Sequence, residues 1–381
     1  MNHFKKAAFL SLFYFFHFGT LGIFIPFVAL YLKTSGFSGS EIGIFITIVS
    51  VVKFLFTNKW TKIYNSISYK KLFLITAIIV SNSSVILLIF SNYLAVFLSF
   101  VIYSVARVGI LPVIDHISNE FSRQSGIEYG KIRLFGSIGF IVFTTLTGLL
   151  VDYFDINIFI IMSVLTGLLS AISISFVHLF DIDDDKKNNL NKKLSFDFKL
   201  ILFASLIYFI PLTFFHNFMN IKVQYLNSSQ TTAGIIWSVG ICAEIILMFF
   251  SRKLFEKIQP YNLLIISMLL GSIRSFVIGY THSPYVLLVI NLLHGFAFGT
   301  FHLSIIRYIK DSIPDFIRLK AQSYYATFIY GLGAILGSII SGYLYDIMGV
   351  ENMFITGGFF ALSSGLILLL YRNKIMVKYT A

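Results

Sequence analysis

Lys53, Arg107, Glu244 and Arg274 each interrupt a stretch of sequence that is otherwise apolar. Asp115 and Arg133 stand at the edges of two further stretches, and His216, His294 and His302 lie within others. A charge in a long apolar segment is disfavoured in lipid, and it persists where it binds a solute, relays a proton or pairs with another charge. The cations suit an anionic solute, which they would hold by charge-assisted hydrogen bonds. Glu244 suits proton exchange, being the one carboxylate well inside an expected helix. Static ion pairs between helices remain the alternative for every residue of the set. Trp237 precedes Glu244 by seven residues, two helical turns along the same face. No metal-ligand spacing, nucleophile elbow or phosphate-binding glycine loop occurs, so neither a cofactor nor an enzymatic activity is expected.

The elements that position these residues must be membrane helices. Apolar residues make up 57% of the 381 and charged residues only 12%, about half the charge of an ordinary soluble protein. Runs of about 20 apolar residues match the hydrocarbon thickness. Six are expected near residues 7–32, 42–56, 72–90, 94–114, 132–151 and 158–180, and six more near 200–219, 233–250, 263–280, 285–306, 323–345 and 353–371. The run at 42–56 is short for a span unless it continues through Trp60. The first run follows Lys5 and Lys6 but is too long for a signal peptide and reads as a retained span. The lone Cys242 falls in a helix and is silent on redox compartment.

The two halves repeat each other. Gly148-Leu149-Leu150-Val151-Asp152 and Gly342-Tyr343-Leu344-Tyr345-Asp346 each close an apolar segment, and Gly139 falls on Gly333 at the same offset of 194. Gly43-Ile44 aligns with Gly234-Ile235 at 191, an offset that also sets Lys53 on Glu244. A duplicated chain of apolar segments is the pattern of a transporter built from two parallel bundles. Equivalent positions would then carry a cation in one half and an anion in the other. The fold class expected is an all-α integral membrane protein, with twelve transmembrane helices in two pseudo-symmetric six-helix bundles. Residues 1–180 form the first bundle and 199–381 the second. The polar segment 181–198, beginning Asp181-Ile182-Asp183-Asp184-Asp185, reads as a flexible tether.

The net charge of +12 describes topology and not nucleic-acid binding. Lys and Arg crowd alternate loops: Lys59 to Lys71, Arg123 and Lys131, Lys186 to Lys193, Arg252 to Lys257, Arg307 to Lys320, and Arg372 to Lys378. The loops between hold little more than Lys33 and Lys222. By the positive-inside rule both termini face the cytoplasm, in the inner membrane of the cell.

Several motifs resemble a known family. Phe13-Tyr14-Phe15-Phe16 with Gly22-Ile23-Phe24-Ile25-Pro26-Phe27 resembles the first helix of the lactose permease and phenylpropionate permease-like branch of the major facilitator superfamily. Tyr129-Gly130-Lys131-Ile132-Arg133-Leu134-Phe135-Gly136-Ser137 is similar to that branch's fifth-helix signature. Trp237-Ser238-Val239-Gly240 through Ala243-Glu244, Ile273-Arg274, Leu292-Leu293-His294, and His302 with Arg307-Tyr308-Ile309 extend the likeness over nearly the whole chain. The resemblance implies that Asp115 and Arg133 match a sugar-binding acid and base, and that Glu244 matches an acidic substrate-site residue. It also implies that Arg274 and His294 belong to a coupling network. Ala297 stands where lactose permease carries its proton-bearing carboxylate, so another group would carry protons here. The loop from Asn58-Lys59-Trp60 to Tyr69-Lys70-Lys71 lacks the usual Gly and Asp of the superfamily's gating loop.

The resulting expectation is a monomeric, proton-coupled secondary transporter that works by alternating access. Its partners would be a small-molecule substrate, protons and the lipid bilayer. An aromatic carboxylate comes first as imported substrate; a sugar or nucleoside symporter, a drug or metabolite exporter and, more remotely, a receptor are the alternatives. Substrate binding is assigned to Lys53, Arg107, Asp115, Arg133, His216, Trp237 and Arg274, and proton coupling to Glu244, His294 and His302. Topology is testable directly. In a Cys242→Ser background, single cysteines between Asn188 and Asn191 and near Lys310–Asp315 should resist an impermeant maleimide in intact cells; labelling at both loops would overturn the helix count or the orientation.

Overall fold

The computed structural model describes residues 3–66, 69–90, 92–176 and 194–376. The expected tether, 181–198, lies outside the described residues up to 193. Nearly all the described chain is helical. The first half runs through α1 (His3–Thr34), α2 (Gly39–Ser66), α3 (Tyr69–Ile89), α4 (Tyr93–Arg107), α5 (Ile110–Ser125), α6 (Tyr129–Tyr153) and α7 (Ile158–Ser175). The second comprises α8 (Phe196–Tyr225), α9 (Gln230–Lys257), α10 (Pro260–Tyr280), α11 (Pro284–Ile290), α12 (Phe301–Ser312), α13 (Asp315–Ala326) and α14 (Ala334–Met376). Two π-helical turns, Gly295–Thr300 and Thr327–Gly333, join α11 to α12 and α13 to α14.

Among the described residues, eleven helical stretches, not twelve, are long and apolar enough to cross a membrane. The last two expected helices run together as Asp315–Arg372, which is 58 residues long, about 87 Å of helix against a hydrocarbon core of about 30 Å. Within it Gly349 takes a left-handed φ of 77°, a conformation open to glycine but not to side chains with a Cβ. The short run at 42–56 does continue through Trp60, to Ser66.

Asp115 does not end a helix, contrary to expectation. The fourth apolar stretch breaks after Arg107 and resumes as α5, which carries Asp115 in its second turn and continues to Ser125. Polar Asn119, Glu120, Arg123 and Gln124 on the later turns had hidden this extension from an apolarity reading. The break is a packed joint. A side chain at Gly109 would collide with the Trp60 ring, and the Trp60 indole N–H donates to the Val105 carbonyl at 2.6 Å. That carbonyl is one of the orphans a helix end leaves behind.

Two compact units divide the chain. In one, α1 packs on α6 and α7, and α3 on α4 and α7; its core gathers Leu10, Phe13, Tyr14, Phe73, Ile114, Phe121 and Ile132. In the other, α14 packs on α8 and α10, and α10 on α12, around Phe198, Tyr208, Met268, Phe301, Tyr308 and Tyr325. Each unit also holds a short piece from the other half of the sequence: Ser229–Ser238 joins the first, and Ser38–Ile44 the second.

The repeated pentapeptides explain these pieces. In the first unit Asp152 accepts from the backbone N–H groups of Gln230 (2.7 Å) and Thr231 (2.8 Å) and from the Thr231 hydroxyl (2.6 Å). In the second, Asp346 accepts from the N–H groups of Gly39 (2.6 Å) and Ser40 (2.7 Å) and from the Ser40 hydroxyl (2.6 Å). Each carboxylate thus closes the N-terminus of a helix, α9 or α2, where unpaired donors and the positive end of the macrodipole meet. Gly148 and Gly342 lie against the backbones of Gln230 and Gly39 so tightly that any side chain would overlap them. The Gly-to-Asp spacing of four sets a backbone contact one turn before the cap.

Asp152→Ala and Asp346→Ala should each destabilise the protein by about 1–2 kcal/mol, the magnitude of a lost N-cap. The corresponding Asn variants, which keep an acceptor, should lose less. Thermal unfolding in detergent measures this, and an unchanged midpoint for both Ala variants would show that the caps contribute nothing.

Candidate functional site

In the first unit the site forms where α1, α5 and α6 meet. The Asp115 carboxylate accepts from two phenols at a single oxygen, Oδ1: Tyr14 at 2.6 Å and Tyr129 at 2.9 Å. Arg133, on α6, lays its guanidinium 3.8 Å from the centre of the Phe18 ring and 5.5 Å from that of Tyr14. Asp115 and Arg133 therefore share the Tyr14 side chain but form no ion pair with each other. The acid is held by hydroxyl groups and the base by ring faces, where cation–π attraction contributes roughly 0.5–2 kcal/mol.

In the same unit, Arg107 donates to the Tyr103 hydroxyl at 2.7 Å and to the His17 carbonyl at 3.2 Å. His17 stacks on Phe13, with ring centres 5.3 Å apart. A small crevice with Thr20, Phe73 and Thr76 on its walls opens beside Arg107 and His17. Trp237 is buried in this unit too, tilted against Phe140 at 6.0 Å. Lys53 is exposed on α2.

In the second unit a column of rings runs from Arg274 to His302. The Arg274 guanidinium, on α10, sits 4.0 Å over Phe215 and donates to Asn291 Oδ1 from Nε (3.1 Å) and Nη2 (2.6 Å). Phe215 stacks on His294 at 5.8 Å, His294 on Phe298 at 5.6 Å, and Phe298 on His302 at 6.4 Å. His216 adjoins Phe215, edge to face. The π-helical turn between His294 and His302, whose hydrogen bonds reach five residues ahead, sets three residues four apart into one stack. His302 Nδ1 meets the hydroxyls of Tyr325 (2.8 Å) and Tyr330 (3.0 Å). Buried His294 Nδ1 has no hydrogen-bond partner among the described residues, an arrangement normally disfavoured.

Glycines bring Glu244 to this column. Gly295 presses on the backbone of Ala243 and Glu244, and Gly299 leaves room for the Glu244 side chain. Glu244 lies in the neighbourhood of Tyr330. The Glu244–Arg274 ion pair that the sequence left open is not formed; Arg274 has no carboxylate within ion-pair distance among the described residues.

Sequence reasoning missed a second buried charge. Lys222, counted there as a loop residue, is fully buried in α8 and pairs with Glu351 at 2.8 Å, with His282 3.2 Å from the same carboxylate oxygen. The apolar flank Ile221 and Val223 was the available signal that α8 extends so far. The phenols of Tyr14, Tyr129, Tyr325 and Tyr330 were lost among 21 tyrosines, and only their tertiary contacts single them out.

Residues 8–356 match the MFS_1 like family. The chain belongs to that family. It is 25% identical over 358 residues to a probable 3-phenylpropionic acid transporter of Escherichia coli, covering 91% of this chain and 93% of that one. A lactose permease of Citrobacter freundii is 22% identical, with 91% and 89% covered. Among solved structures, a mutant form of the nucleoside transporter NupG superposes with a TM-score of 0.85 at 18% identity, covering 96% of this chain and 99% of that one. This family member is a multi-pass membrane protein and a secondary transporter of the permease branch.

Tyr14→Phe removes a donor to the half-buried Asp115 carboxylate, and hydrogen bonds to charged groups contribute about 1.5–3 kcal/mol. The variant should unfold at a lower temperature, and Asp115→Asn in the same background should recover part of the loss, because a neutral amide tolerates the missing donor. Equal midpoints for wild type and Tyr14→Phe would mean that the phenol does not hold Asp115.

Proposed function

We propose that this transporter imports an aromatic carboxylate with protons, by alternating access of two bundles, 1–180 and 199–381, joined through 181–198. One observation carries the reading: Arg107, Arg133 and Arg274 each lie at or against an aromatic ring, and none has a carboxylate partner among the described residues. An uncompensated charge in an apolar surrounding is disfavoured by several kcal/mol. A carboxylate substrate would relieve it, and Phe18 or Phe215 would take the substrate's ring. Lys53, His216 and Trp237 complete the proposed binding set with Asp115. The relative described as a 3-phenylpropionic acid transporter points the same way. Both termini are proposed to face the cytoplasm, in the inner membrane, with the protein acting as a monomer.

A hydroxyl-bearing substrate is the second reading. Asp115, held by phenols instead of a cation, would accept hydrogen bonds from a sugar or nucleoside, and relatives include permeases named for maltose and xanthosine.

Glu244 is the proposed proton carrier, with His294 and His302 responding through the ring column. Glu244→Gln mimics the protonated carboxyl but cannot release the proton. It should keep binding and exchange and lose accumulation driven by a pH gradient; full pH-driven uptake in proteoliposomes would remove Glu244 from coupling. For the substrate, 3-phenylpropionate should bind at least 10-fold more tightly than 3-phenylpropan-1-ol, the value of about one charge-assisted hydrogen bond. Arg133→Ala or Arg274→Ala should abolish that preference. Tighter binding of xanthosine or lactose than of the acid would favour the second reading.

A further inference from the structure

A cavity of about 410 Å³ opens along α8 and α13 in the second unit, far roomier than the crevice at Arg274, about 10 Å³. Lys199 and Lys320 are the charged residues of its lining, and Leu194, Leu202, Phe203, Leu206, Tyr324 and Phe328 make up the rest. The order along both helices is the same. On α8 a cation is followed by Phe203 one turn on and Leu206 after two. Along α13 and the π-turn after it, Lys320 is followed by Tyr324 and Phe328. At 1.5 Å per residue, the seven and eight residues involved carry the groove about 10–12 Å from the lysines, within the 15 Å or so of one hydrocarbon leaflet. Phe203 and Tyr324 are 54% and 41% exposed, so the groove is open, and apart from the two lysines its lining is apolar or aromatic.

We infer that this groove is a binding site for an anionic phospholipid. The phosphate would sit between Lys199 and Lys320, and the upper part of one acyl chain would lie along Phe203, Leu206, Tyr324 and Phe328. Charge complementarity chooses the occupant. Two cations over an apolar slot match a headgroup of net negative charge with a chain beneath it, and a zwitterionic lipid gains less from the same pair. Lysines near a membrane surface each favour an anionic lipid by about fivefold, so the pair should give about 25-fold. The lysines belong to the basic end of the helices, which places the site in the cytoplasmic leaflet under the orientation proposed above.

Native mass spectrometry of the detergent-solubilised chain decides this without reference to orientation or transport. Dioleoylphosphatidylglycerol should bind in preference to dioleoylphosphatidylcholine. Lys199→Ala with Lys320→Ala should cut that preference about 25-fold; if the pair does not fold, the double Gln variant takes its place. Leu206→Trp, which fills the groove, should lower occupancy by both lipids, whereas Lys253→Ala on α9 should change neither. Undiminished phosphatidylglycerol preference in the double variant would overturn the site. So would displacement of the lipid by saturating 3-phenylpropionate, which would make the groove part of the solute's route. Failure of the substrate reading alone would leave the lipid titration unaffected.

Discussion

Lipid offers no hydrogen bonds, and most of this structure follows from that. A backbone amide or carbonyl in the hydrocarbon must find its partner within the protein, so nearly every described residue is helical and every interruption needs a repair. The joint between α4 and α5 is closed by the Trp60 indole on the Val105 carbonyl. The N-termini of α2 and α9 are closed by Asp346 and Asp152. Lys222, fully buried, has Glu351 and the Gly279 carbonyl. Each repair uses one side chain from a different helix, and the same contacts that satisfy polar atoms therefore fix which helices are neighbours.

The charges assigned to function are treated differently from the structural ones. Lys222 and Glu351 neutralise each other, whereas Arg133 and Arg274 rest on Phe18 and Phe215. A ring face attracts a cation without consuming its charge or all of its five donors. Asp115 commits its Oδ1 to two phenols that are themselves neutral. In both halves these three groups, Arg133, Arg274 and Asp115, are thus held by dipoles and quadrupoles and not by an opposite charge.

Much of this was legible in advance, for reasons that differ by residue. Long apolar runs gave the helices because hydropathy is a local property, and the two glycine-to-aspartate pentapeptides marked the repeat because duplication leaves spacing intact. What those aspartates do was not legible, since their partners lie 78 and 307 residues away in sequence. The extension of α5 was missed because its outer turns are amphipathic and apolarity alone cannot see them. The π-helical turn Gly295–Thr300 sets Gly295 against the backbone of Ala243, and no single segment encodes that contact. Lys222 passed for a loop residue because a buried ion pair and a solvated lysine are spelled alike.

The placement of Ser229–Ser238 also decides what light can report. The sequence has only two tryptophans. Trp60 packs in the first unit, and Trp237, although it belongs to a helix of the second half, lies there too against Phe140. Tryptophan-selective fluorescence of this protein therefore reports on the surroundings of Phe140 and Val105. Quenching on ligand addition would locate the change near Phe140 or Val105, and a fluorophore introduced beside the Arg274–His302 column would report on that column directly.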